Sequence, residues 1–227
     1  MYWYMENPQT LILLFISIII TIAAQSLVKR AYEKYKKIKS KSKLTGFEAA
    51  RKILDQHGLK DVHVVTTTGI LSDHYDPKRK VVRLSKEIFD GDSIASISIA
   101  AHEVGHALQD KEGYILMKLR GFIVPVVNLS SKIGYFAILI GFFTSMTEFL
   151  WFGIYLLIGT VIFQLITLPV EFDASKKARD NLAKLIPNTE QEFCKKMLRA
   201  AAMTYVAGLA TTLLQLLRLV LMAKRRG

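Results

Sequence analysis

Ala100-Ala101-His102-Glu103-Val104-Gly105-His106-Ala107-Leu108 sets two histidines four residues apart, with a glutamate directly after the first. On an α-helix, positions i and i+4 lie on one face, one turn apart. Both imidazoles can then reach a single zinc ion and Glu103 can meet a water bound to it, although two ligands do not by themselves make a site. The residues that start the helix precede the motif: Asp90-Gly91-Asp92-Ser93 supplies N-cap side chains, and the spacing predicts a helix from Ser93 to about Gln109. Its small residues, Ala95, Ala100, Ala101, Gly105 and Ala107, suit a crowded crossing. Gly105 costs roughly 1 kcal/mol of helix propensity relative to alanine, which is reasonable where a second backbone must come close beside a metal.

The rest of the chain is not that of an ordinary soluble domain. Of 227 residues, 51% are hydrophobic, and they are bunched into long runs; the formal net charge is +12. Excess basic charge serves nucleic acid, an anionic membrane surface, or topology control beside membrane spans. The apolar runs favour the last two. Lysines crowded beside a span, with no aromatic-interleaved patch, argue against a nucleic-acid partner. Cys194 is the only cysteine, so neither an internal disulfide nor a multi-cysteine metal site is available.

Residues 11–28 (LILLFISIIITIAAQSLV) carry no charge and are long enough to cross a hydrocarbon core, and they follow Trp3 and two tyrosines of the interfacial kind. The positive charges come after this run, which predicts an uncleaved anchor, residues 1–28, with its N-terminus outside and its helix ending near Lys29-Arg30. The lysine-rich run 34–43 fits a cytoplasmic segment on anionic headgroups. A small domain, residues 29–120, follows. Thr45-Gly46-Phe47-Glu48 is a capping box, Gly58 a helix stop, and Phe47, Ala50, Ile53 and Leu54 recur as a packed face. Residues 62–68 and 80–84 read as strands, separated by a turn-rich connection, 69–77.

Residues 121–143 and 149–170 are two further runs of spanning length, a hairpin within 121–170 whose short turn carries only Glu148 as charge. Basic residues return after Val170, so charge and parity put the HExxH helix and segment 171–199 on the cytoplasmic side. Residues 171–186 are polar with helical spacing and stop at Pro187. Thr189-Glu190-Gln191-Glu192 then reads as a second capping box, opening a helix that runs into 200–227. Residues 200–227 read as a C-terminal membrane helix. A span would carry Lys224-Arg225-Arg226 outside, against the positive-inside tendency, and an in-plane or re-entrant helix would keep them inside; the reading leans to a fourth span. The fold class is mainly α: a membrane protein with three to four transmembrane helices and a small α+β cytoplasmic domain carrying the HExxH helix.

Catalytic zinc commonly takes three protein ligands and leaves a fourth position to water. Of the remaining histidines, His57 reads as a helix C-cap partner, His63 as a surface residue near a strand start, and His74 as a candidate for substrate contact. Glu171 is the better third ligand. It stands where a span emerges on the side of the HExxH helix, and a carboxylate there is costly to keep ionised unless solvated or bound to a cation. The plainer reading is an interfacial glutamate hydrated among headgroups. Asp173, or Ser175 at i+4 from Glu171, is placed to hold a ligand histidine by its second ring nitrogen. Oxyanion donors are open among His74, Tyr75, Arg199 and Tyr205, and the 80–84 strand offers an edge for an extended peptide.

His102-Glu103-Val104-Gly105-His106 followed by Glu171-Phe172-Asp173-Ala174 resembles the gluzincin type of membrane zinc metallopeptidase, to which HtpX and the CAAX prenyl endopeptidases are related. The YugP family of small bacterial membrane zinc peptidases is the nearest likeness, through His74-Tyr75-Asp76-Pro77, Val82-Arg83-Leu84-Ser85 and Leu168-Pro169-Val170-Glu171-Phe172-Asp173-Ala174-Ser175. The resemblance implies a zincin-like domain in a bacterial cell membrane, with one Zn²⁺ on His102, His106 and Glu171 and Glu103 as base. The HtpX-type pattern has an aspartate four residues after the ligand glutamate; Ser175 stands there instead. The expected function is a zinc metalloendopeptidase acting on proteins or peptides, membrane proteins included, at the cytoplasmic membrane surface. The alternative is a non-catalytic membrane scaffold with structural zinc or no metal.

Overall fold

The computed structural model describes residues 8–69 and 72–225. Trp3, its neighbouring tyrosines and Arg226 lie outside the described residues. Among the described residues ten elements follow in order: α1 (Pro8–Lys36), α2 (Gly46–Gln56), β1 (His63–Thr67), β2 (His74–Asp76), β3 (Val81–Ser85), α3 (Lys86–Asp90), α4 (Ile94–Lys111), α5 (Ile115–Thr144), α6 (Thr147–Leu182) and α7 (Asn188–Lys224). Four of them, α1, α5, α6 and α7, are long and apolar enough to cross a membrane. The last expected span is therefore part of one long helix that starts at Asn188. Thr189 lies inside that helix rather than capping it.

The chain divides into two compact units. The first comprises residues 8–25, Leu119–Leu168 and 204–225 among those described. Its α5–α6 hairpin is packed through glycines: a Cβ on Gly153 would lie 2.5 Å from the carbonyl oxygen of Gly134. Backbones this close gain packing that larger side chains would prevent. Gln164 on α6 donates to Thr212 Oγ1 on α7 at 3.0 Å, a polar tie between the two helices within this unit.

The second unit comprises Ser26–Lys118 and Pro169–Met203. The sheet order is β1-β3-β2, with β1 parallel and β2 antiparallel to β3. Two expectations change here. The 69–77 connection contains a strand, β2, too short to show period-two alternation. Because β2 pairs along one side of β3 and β1 along the other, β3 is central and has no free edge; the edges belong to β1 and β2. The core joins Ala50, Ile53 and Leu54 of α2, Val82 and Leu84 of β3, and Ile94, Ile97, Ala101 and Val104 of α4. Thr45 and Glu48 form the expected capping box, and Ser93 caps α4 through the Ser96 amide.

Helix α1 runs past the expected stop at Lys29-Arg30 to Lys36. The reason is packing within the second unit, where Tyr32 and Tyr35 are buried one turn apart and Tyr32 donates to Glu87 Oε2 at 2.8 Å. Burial and that carboxylate push the Tyr32 phenol well above its ordinary range. Some of the lysine run is used the same way: Lys36 pairs with Glu87, and Lys39 with Asp92 at 3.2 Å. Glu190, buried on α7, accepts from Ser40 Oγ at 2.7 Å and from the Lys41 amide at 2.8 Å. Removing a buried acceptor strands its donors at a cost of about 1–3 kcal/mol. Glu190→Ala is therefore expected to lower the thermal unfolding temperature of the purified chain, while an exposed control such as Glu192→Ala leaves it unchanged.

Candidate metal centre

Helix α4 carries His102 and His106 one turn apart, their rings edge to face with centroids 4.9 Å apart. Glu171 comes from α6, two residues beyond Pro169, and is 1% exposed. Its Oε2 lies 3.3 Å from His102 Nε2 and 3.7 Å from His106 Nε2. Three donor atoms, one from each residue, lie within 4.8 Å of one another, and the three side chains form a group able to hold a metal ion. All belong to the second unit.

The close approach of α4 and α6 depends on Gly105. A Cβ there would lie 2.5 Å from the carbonyl oxygen of Ala174 and 3.1 Å from its Cα. The glycine thus trades helix propensity for backbone proximity, and that proximity brings Glu171, one turn before Ala174 on α6, to the histidines.

The second ring nitrogens are held from both helices. His102 Nδ1 meets Ser175 Oγ at 3.2 Å, and His106 Nδ1 meets Gln109 Oε1 at 2.9 Å. With Nδ1 donating in each ring, both Nε2 atoms would offer lone pairs to a bound metal; without one, a proton on Nε2 is what faces the Glu171 carboxylate. Gln109 is fully buried, and its amide donates to Val170 O at 2.7 Å and to Asp173 Oδ2 at 2.9 Å. Ser175 therefore bonds a ligand candidate directly, whereas Asp173 acts through Gln109. Sequence reasoning missed Gln109. Its only signal was a long polar residue one turn after His106, on the helix face that carries both histidines. Gln109→Ala is expected to weaken zinc affinity by about 10–100-fold, the usual cost of losing such an outer partner, as read by competition with a chelating dye.

The electrostatics suit a cation. Burial pushes the Glu171 carboxyl up, but the protonated rings of His102, at hydrogen-bond distance, and of His106, slightly farther off, outweigh it and hold the group below the usual carboxylate range. Burial lowers His106, yet Glu171, Glu103 and Gln109 together raise it above its ordinary value. A buried carboxylate between two imidazoles thus draws positive charge into the cluster. Glu103 is 8% exposed on the same helix. Two imidazole nitrogens and a carboxylate oxygen, each oriented by a second hydrogen bond or by burial, are a donor set that fits zinc with a coordination position to spare.

The other candidates are placed differently. His57 caps α2 and its Nε2 meets Asn181 Oδ1 at 2.8 Å; His63 is exposed at the start of β1. His74 is exposed on β2, its Nδ1 2.8 Å from Ser72 O. The Tyr75 hydroxyl donates to Asp110 Oδ2 at 2.9 Å, which takes its one proton away from any oxyanion. Arg199 is exposed and shares a groove with Ser175, whereas Tyr205 belongs to the first unit.

A family model described as "Putative neutral zinc metallopeptidase" matches residues 10–224. The chain belongs to this family. It is also 48% identical over 200 residues to "Putative membrane protease YugP" of Bacillus subtilis (strain 168), covering 87% of this chain and 89% of that relative. No solved structure matches. Family, relative and the four long apolar helices together make this a membrane protein of the zinc metallopeptidase family.

Proposed function

We propose that the chain is a membrane-embedded zinc metalloendopeptidase, with His102, His106 and Glu171 as ligands and Glu103 as general base. The observation that carries this reading is the convergence of both Nε2 atoms on Glu171 Oε2, beside a buried Glu103. Zinc held there supplies Lewis acidity, acidifying a water and polarising a carbonyl. The Glu103 carboxylate takes a proton from the attacking water and returns it to the leaving amine. Ser175 and Gln109 keep the imidazoles in the tautomer that leaves Nε2 free. Edge strand β2 binds an extended stretch of substrate by main-chain pairing, in place of the central β3.

The second unit is read as a zincin-like domain on the cytoplasmic side, with the N-terminus outside and the substrates proteins or peptides, membrane proteins among them. Charge supports this topology: Glu148, in the first turn of α6, is the sole charge at the α5–α6 connection, while Lys176, Lys177 and Arg179 follow α6's apolar stretch. The test is hydrolysis of an unfolded protein substrate by the purified full chain. Chelation should abolish cleavage, and stoichiometric zinc should restore it. Cleavage that survives complete metal removal would exclude this mechanism.

A further inference from the structure

The second unit carries a groove of about 280 Å³ lined by residues of α6 and of the first part of α7. Lys176 and Arg179 from α6 and Lys195 and Arg199 from α7 line it, all four exposed, and no carboxylate side chain does. Lys195 has Glu192 at 3.5 Å; among the described residues no ion pair engages the other three. The remaining lining is largely apolar, with Phe172, Leu198 and Ala202. Phe172 is 47% exposed, a large ring left open to the surroundings.

Among the described residues Lys176, Arg179 and Arg199 meet no carboxylate and Lys195 shares its charge with Glu192, so the groove is net positive and an anion relieves the repulsion among these cations. Arginine in particular matches the oxygens of a phosphate with two parallel hydrogen bonds. The position along each helix narrows the kind of anion. Phe172 follows the apolar stretch of α6 within about one turn, and Ala202 precedes the first-unit portion of α7, which begins at Thr204. The groove therefore lies on the polar flanks of two helices whose apolar stretches are of membrane-crossing length. Basic pockets at such flanks suit lipid headgroups.

We propose that this groove binds the phosphate of an anionic phospholipid, with Lys176, Arg179, Lys195 and Arg199 around the phosphodiester and Phe172, Leu198 and Ala202 against its glycerol and upper acyl carbons. Ser175 lines the same groove and bonds His102 Nδ1, so the lipid lies one side chain from the candidate metal centre. The binding itself is independent of zinc and of catalysis.

The test is native mass spectrometry of the full chain in detergent, titrated with phosphatidylglycerol and, separately, with neutral phosphatidylcholine. The expected result is preferential retention of phosphatidylglycerol, weakened about tenfold or more in Arg179→Gln/Arg199→Gln, since each interfacial cation contributes about fivefold. Lys60→Gln/Lys78→Gln, which changes exposed lysines outside the groove, should match the wild type. Arg199→Gln alone, with thermal unfolding measured alongside, separates lost binding from lost folding. Equal phosphatidylglycerol retention by the wild type and the groove variants would overturn the proposal. So would displacement of the lipid by inorganic phosphate alone, which would mark a free-phosphate site. Unchanged lipid retention with weakened binding of a glutamate-rich peptide would make the groove a substrate subsite and also overturn it.

Discussion

Glu103→Gln is expected to lower peptide-bond hydrolysis by about 10²–10⁴-fold while zinc content stays at that of the wild type, measured by single-turnover cleavage alongside metal analysis. Glutamine keeps the volume and the hydrogen-bonding shape of the side chain but does not take up a proton at neutral pH. The three candidate ligands keep their positions, because His102 is held by Ser175, His106 by Gln109 and Glu171 by its place on α6. Loss of activity with retained metal therefore isolates proton transfer. Full activity in the variant would remove Glu103 from the mechanism.

Gly105→Ala is expected to cost about 100-fold in activity and to weaken metal binding, although the residue touches neither metal nor substrate. Alanine would favour the helix by roughly 1 kcal/mol. Against this, the new Cβ would lie 2.5 Å from Ala174 O, and the obstacle is backbone rather than a flexible side-chain end. Overpacking of this kind costs about 1–3 kcal/mol, and relief requires α6 to move away from α4. Glu171 moves with α6, and a displacement of about 1 Å between reacting groups commonly costs 100-fold. The measurements are zinc affinity and kcat/KM for the variant. Wild-type values for both would mean that the crossing at Gly105 does not position Glu171.

The residues differ in how openly they declared this arrangement. The first three long apolar helices were plain in hydropathy, because a run without charge has few other destinations; the fourth, interrupted by Gln215 and Arg218 and followed by basic residues, was legible only as a span or an in-plane helix. His102, Glu103 and His106 were legible as a spacing, and Gly105 as a helix-weakening residue that needed a reason. Glu171 was legible because an acid at the end of an apolar run is expensive. What stayed hidden depends on side chains that meet only after folding. Gln109 gave no spacing signal, and its part follows from three hydrogen bonds made across two helices. Strand β2, three residues long, shows no alternation, so the sheet order and the central position of β3 were out of reach. The continuation of α1 to Lys36 depends on where Tyr32 and Tyr35 are buried, which no local propensity records.

In the proposed centre, α4 supplies two ligands and α6 the third. Metal analysis of the purified full chain beside Glu171→Ala, after equal dialysis against a weak chelator, tests it most directly. One zinc per wild-type chain is expected, and a clearly substoichiometric amount in the variant. A variant that keeps one zinc per chain would contradict it.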